Sequence, residues 1–184
     1  YHYKIFTQDS RGNYNAGTVP TGSPATPVSA KHVTGTSNST GTVKVAVNGT
    51  LNGASTTISG GNFDITLTGT QPVTDDVITV FIQSASQTDE STAVTRYDGS
   101  GDITGVILNQ NVLSIGSVDD QILSVSDLGL YDCDQSEDIM HSANSGTLLL
   151  DGCSNGYTNP TMQVESGDTF KSAGVEVVTA RNIT

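Results

Sequence analysis

Residues 41–82 read GTVKVAVNGTLNGASTTISGGNFDITLTGTQPVTDDVITVFI, and the fold class follows from their period. Val43, Val45 and Val47 alternate with Thr42, Lys44 and Ala46, and Phe63, Ile65 and Leu67 alternate with Asp64, Thr66 and Thr68. A period of two places one set on a buried face and the other on an open face of a pleated strand. From Val77 to Ile82 both faces are apolar apart from Thr79, the pattern of a strand covered on both sides. Asn48-Gly49, Asn52-Gly53, Gly60-Gly61 and the stretch from Pro72 to Asp76 carry the turn residues that separate strands. Ala93 to Tyr97 reads as a further, weaker strand. Strands at this spacing predict an all-β sandwich of two sheets, of immunoglobulin-like or jelly-roll type.

The longer run 41–98, which continues as QSASQTDESTAVTRYD, resembles the immunoglobulin-like repeats of large bacterial surface proteins and adhesins. The shared order is a strand, an Asn-Gly turn, a Gly-Gly turn into an aromatic strand, a valine-rich strand and a polar hairpin. The resemblance covers about residues 33–98 and implies a β-sandwich module that adheres or spaces at a cell surface. A tandem array would start another copy near residue 99, and this chain does not.

Outward from that block, residues 99–184 carry short apolar runs at Ile103 to Leu108, Val112 to Ile115, Ile122 to Val125, Leu148 to Leu150, Met162 to Val164 and Val175 to Val178. They read either as strands completing the first sandwich or as a second small β module. One short helix is expected from Ser126 to Tyr131, with Ser126 as cap and Asp127 in the first turn. On the other side, Tyr1, Tyr3 and Ile5 alternate with His2, Lys4 and Phe6 as one short strand. Pro20, Pro24 and Pro27, with Gly12, Gly17 and Gly22, then make residues 9–30 an extended connector, because proline cannot donate to a central ladder. The expected organisation is therefore a strand and arm over 1–32, a sandwich core over 33–98 and further strands over 99–184.

Composition narrows the function. Ser and Thr make up roughly a quarter of the 184 residues, Trp is absent, and fifteen Asp stand against four Glu. Threonine and valine suit a half-buried pleated surface. Seven Lys+Arg against nineteen Asp+Glu give a net charge of −12. That balance speaks against nucleic acid, which needs clustered cations, and against an anionic membrane surface. No apolar run approaches the roughly 20 residues of a membrane-spanning helix. The first residue is Tyr1 rather than Met, which suggests a processed chain. The profile points to an extracellular location.

Four groups of residues are candidates for chemistry. Cys133 and Cys153 are the only cysteines, and in an oxidising compartment an even count reads as a disulfide. It would close a loop of about 20 residues, worth roughly 3 kcal/mol by chain entropy. Asp132, Asp134, Glu137 and Asp138 form the densest acid cluster, and Asp98 and Asp102 around Ser100 form a second, with Asp119-Asp120 a third. Short carboxylates so close repel unless neutralised, and Ca²⁺, which takes six to eight oxygens, suits such loops, although the spacing is not that of an EF-hand. Asn38, Asn48 and Asn182 each begin an Asn-x-Ser/Thr triplet, the acceptor pattern for N-glycosylation. Tyr1, Tyr3 and Ile5 could insert into a neighbour's sheet.

No catalytic motif is visible. His2, His32 and His141 lie in separate segments, and neither a nucleophile elbow, a zinc-protease helix nor a phosphate loop occurs. With 5% aromatic residues, platforms for sugar are scarce. The sequence thus leads to a non-enzymatic expectation: a subunit of a self-assembling filament, tube or surface layer, joined by donation of the N-terminal strand. The alternative is a monomeric binding or spacer module of a larger adhesin.

Overall fold

The computed structural model describes residues 10–12, 29–83, 90–116, 122–150, 160–166, 168–171, 177–179 and 182–183. The expected strand of Tyr1, Tyr3 and Ile5 and almost all of the proline-rich arm lie outside them. The structure is mostly β with one short helix, and its two main sheets are mixed and packed face to face as a sandwich.

The alternating segments form the strands expected of them. In chain order they are β1 (His32–Ser37), β2 (Thr42–Val47), β3 (Thr50–Thr57), β4 (Asn62–Thr66), β5 (Val77–Gln83), β6 (Thr92–Arg96), β7 (Ile103–Leu108) and β8 (Val112–Ile115). Further along lie β9 (Leu123–Ser124), α1 (Val125–Leu128), β10 (Ser142–Asn144), β11 (Thr147–Leu149), β12 (Thr161–Val164), β13 (Phe170–Lys171), β14 (Val177–Thr179) and β15 (Asn182–Ile183). The larger sheet has the order β15-β12-β8-β6-β5-β2-β3, and the smaller has β4-β1-β7. Pairs among β3, β2, β5 and β6 are antiparallel, whereas β6, β8, β12 and β15 run parallel to one another. In the smaller sheet β1 is antiparallel to β4 and parallel to β7. Residues 99–184 thus supply strands to both sheets.

The period of two decides the layers. Val43, Val45 and Val47 of β2, Ile78, Val80 and Ile82 of β5, and Phe63 and Ile65 of β4 meet Val33, Ile103, Val106 and Leu108 in the core between the sheets. The opposite face of β5 is buried too. Val77 packs with Val94, Leu113, Ile115, Met162 and, from α1, Val125 and Leu128. Phe81 packs with Ala46, Tyr131 and Ile139, its ring 5.7 Å from that of Tyr131. The segment 123–150 therefore covers the outer face of the larger sheet. Each fully buried side chain of this size contributes roughly 1.5–3 kcal/mol.

Two tight turns form as read. Asn48 (φ 46°) and Gly49 (φ 80°) both have positive φ, which makes the β2–β3 connection a two-residue hairpin turn of type I′. Gly60 and Gly61 do the same between the bridged residues Ser59 and Asn62. Two expectations are corrected. Asn52-Gly53 is not a turn: it lies inside β3, opposite a register shift between Lys44 and Ala46, and so forms a bulge. The helix covers Val125–Leu128, one turn, and its cap is Ser124, not Ser126. Asp127 then falls at the third helical position and completes a capping box, which places the cap two residues earlier than the Ser126 reading.

Candidate functional site

At one end of the smaller sheet the β6–β7 loop folds over the start of β1. Arg96, Tyr97, Asp98, Ser100, Asp102, Ile103 and Thr104 line a cavity of about 210 Å³ there. Asp98 and Asp102, the second pair proposed for a cation, both border it. Asp98 accepts from the Ser100 N–H and from the Ser100 hydroxyl, each at 2.7 Å. Those bonds hold its carboxyl below the usual range, the hydroxyl contributing most. Asp102 Oδ1 accepts from the His32 N–H at 2.9 Å. The Tyr97 hydroxyl donates to the Gly101 carbonyl at 2.9 Å, and Lys31 Nζ lies 5.8 Å above the Tyr97 ring.

His32 links both flanks of β1. Its imidazole Nδ1 is 2.7 Å from Asp64 Oδ1 on β4, while its backbone reaches Asp102 just before β7. The hydrogen bond to Asp64 and the charges of Asp64 and Asp102 raise its pKa above the ordinary value. Chemically, the carboxylates around the cavity act as acceptors that hold loop backbone in place.

The cluster of Asp132, Asp134, Glu137 and Asp138 serves a related purpose. Asp132 is 3% exposed. Its Oδ1 accepts from the Asp134 N–H at 2.9 Å and its Oδ2 from the Ala143 N–H at 2.8 Å. It is a clamp between the 131–138 loop and β10. Asp134 and Glu137 are exposed, and Asp138 is half-buried. Among the described residues no three His, Cys, Asp or Glu side chains gather in a way that could hold a metal ion, so neither acid group is brought together as a cation cage within one chain. Asp119-Asp120 lies outside the described residues. Cys133, the one cysteine among them, is not a free thiol; Cys153, its expected partner, lies outside. His141, next to this loop, is fully buried, with Nε2 3.1 Å from the Leu128 carbonyl. Burial pushes its pKa down.

A second surface is backbone rather than side chain. β7 pairs with β1 on one side, and among the described residues no strand pairs with its other side. β7 lies against β5, β6 and β8 of the larger sheet, whereas β4 lies against β2 and β3 at its margin, so the free side of β7 is above the larger sheet. The β3–β4 corner is built differently. There Asn52 is 4% exposed, and its Oδ1 accepts from the N–H groups of Ala54, Thr68 and Gly69 while its Nδ2 donates to the Thr70 carbonyl. That corner is pinned shut. The roles of Asn52 and Arg96 went unread in the sequence, because an Asn-Gly pair signals a turn and a lone arginine signals nothing. Among the described residues no helix is long and apolar enough to cross a membrane. Comparison of the chain with protein-family models, with curated proteins and with solved structures finds no match.

Proposed function

We propose that this chain is a non-enzymatic structural subunit of an extracellular assembly, in which Tyr1, Tyr3 and Ile5 of one copy add a strand to the sheet of the next. The observation that carries the reading is the outer edge of β7. It presents unpaired main chain among the described residues, and it lies over a broader sheet that can accept the inward side chains of an added strand. β7 reads ITGVIL, with no charged residue and no proline along that edge, and its bulge at Gly105 interrupts it near one end. Cys133, which is not a free thiol, fits an oxidising compartment. Repeated head-to-tail strand addition produces open polymers. Calcium shared between copies at the exposed Asp134 and Glu137 belongs to the same reading, since it would offset the charge of −12.

The test is size. Full-length chain should sediment as large species and form ordered filaments, tubes or layers in electron micrographs. Deletion of residues 1–10 should leave folded monomers, and Thr104→Lys, at an exposed position on β7, should weaken assembly without unfolding the chain. Intact chain that stays monomeric at high concentration would end this reading. It would favour the second one, a monomeric immunoglobulin-like module of a larger surface protein, whose support is the pair of type I′ turns in the order the adhesin repeats show.

A further inference from the structure

We infer that Asn48 is the attachment point of an N-linked oligosaccharide. Three Asn-x-Ser/Thr triplets occur, and the fold separates them. Asn48 is the first central residue of the β2–β3 turn, exposed, in the left-handed conformation that asparagine tolerates well. The turn is held by main chain: the Asn48 N–H donates to the Val77 carbonyl at 2.7 Å. Thr50, the third residue of the triplet, is exposed at the start of β3. Asn38 is placed otherwise. It and Thr40 are exposed too, but its Oδ1 accepts from the Gln110 N–H at 2.8 Å, joining the β1–β2 and β7–β8 turns, so its side-chain amide is engaged. The side chain of Asn182 lies outside the described residues.

A second observation points to the same place. Two of the exposed large apolar side chains, Leu51 (44% exposed) and Leu130 (39%), flank this turn. Gly49 lies against Leu130: a Cβ on Gly49 would sit 3.6 Å from Leu130 Cβ. Leu51 is paired with Ala46, so it shares the face on which Ala46 packs with Phe81, Tyr131 and Ile139. The two leucines thus extend a buried apolar cluster to the surface beside Asn48. The apolar ring faces of the first sugars of a glycan rooted there would cover them.

In the transfer, Asn48 Nδ2 forms a bond to the anomeric carbon of a lipid-linked oligosaccharide. The anomeric C–O bond breaks, the lipid phosphate leaves with the electron pair, and one amide proton goes to the base of the transferase. The inference rests on the extracellular placement alone and not on polymer formation. Glycopeptide mapping of the protein purified from its source should find the peptide containing Asn48 shifted by the mass of an oligosaccharide. The shift should vanish in Asn48→Gln and in Thr50→Val, which keeps the asparagine, and persist in Thr50→Ser. An unmodified Asn48 peptide, a glycan on Asn38 with Asn48 bare, or a shift that survives Thr50→Val would overturn it. A glycosylated monomer would sink the assembly reading and leave this one standing; a bare polymer would do the reverse.

Discussion

Arg96 and Asp127 form an ion pair, Nη2 to Oδ1 at 2.8 Å, in which each side chain is one-fifth exposed. Arg96 ends β6 in the middle of the larger sheet, and Asp127 belongs to the helix that covers its outer face. The same guanidinium donates to the Asp75 carbonyl at 2.8 Å and to the Ile122 carbonyl at 3.3 Å. Asp127 meanwhile accepts from the Ser124 N–H and hydroxyl, both at 2.8 Å. One planar group therefore fastens the 73–76 turn, the end of β6 and the start of α1 together.

Arg96→Met should lower stability by about 2 kcal/mol. That lies above the value of an exposed pair and below that of a fully buried one. Arg96→Lys should recover less than half of it, because an ammonium cannot reach three acceptors in the planar fork a guanidinium presents. Urea unfolding at unchanged m-value reads the effect. A loss below about 0.5 kcal/mol for the methionine variant would show that water replaces the pair at no cost.

Gly35 sits where β1 crosses the bulge of β7, and the strands meet there without room for a side chain. A Cβ would collide with the Val106 carbonyl oxygen and come within 2.6 Å of the Phe63 ring. The register shows why: between Val33 and Gly35 β1 advances two residues while β7 advances from Ile103 to Val106, and the extra turn is taken up at Gly105, φ 79°. Gly35→Ala should cost roughly 3 kcal/mol by overpacking, a fall in Tm of about 6–12 °C. Gly60→Ala is the control. No atom lies within 4 Å of the added methyl, and only the positive φ of 58° penalises it, by about 1 kcal/mol. Equal losses at the two sites would refute the steric account.

The strands that alternate were legible, and so was the doubly buried β5, because its apolar run has no polar face to spare for water. The parallel pairs were not. Nothing in Ile103 to Leu108 or Val112 to Ile115 says that these segments return beside β1 and β6; that is a property of the connections, not of strand composition. Asn52-Gly53 misled for a physical reason: the residues that suit a turn also suit a bulge, since both need backbone off the regular pleat. The acids of 132–138 were visible as a cluster, yet the structure spends Asp132 on two N–H groups while Asp134 and Glu137 are exposed, a division that depends on where β10 lies.

Asn52 gives a sharper prediction, because its four bonds differ in kind. Asn52→Ala removes the acceptor of three N–H groups and the donor to one carbonyl; Ala54 is the buried partner while Thr68, Gly69 and Thr70 are exposed to water, so the change should cost about 1–2 kcal/mol. Asn52→Asp keeps an acceptor for the N–H groups but turns a second oxygen toward the Thr70 carbonyl. It should be at least as damaging at pH 7 and recover as the pH falls toward 4, where a protonated carboxyl can donate to Thr70. Thermal melts of both variants at pH 7 and pH 4 decide it. A penalty for the aspartate that grows on acidification would contradict the assigned direction of the Thr70 bond.

The two described histidines should pull the pH dependence of stability in opposite directions. His141 is buried and held below its ordinary value of 6.5, chiefly by desolvation, with the Leu128 carbonyl and the charge of Asp132 opposing. Below pH 6.5 the unfolded chain binds a proton that the folded chain resists. Its contribution is complete above pH 6.5 and is lost as the pH falls through the folded value. His32, half-buried, is raised above 6.5 by Asp64 and Asp102. Its contribution is complete below 6.5 and is lost as the pH rises through the folded value. In a titration followed by the NMR signals of the ring protons, His141 should show its midpoint below 6.5 and His32 above it. His141→Gln should flatten the rise of stability with pH on the acid side, whatever it does to the absolute level, and His32→Gln should leave that rise in place. A His141 ring that titrates freely at 6.5 or higher in the folded chain would mean that water reaches it, and the packing assigned to the segment over the larger sheet would be wrong.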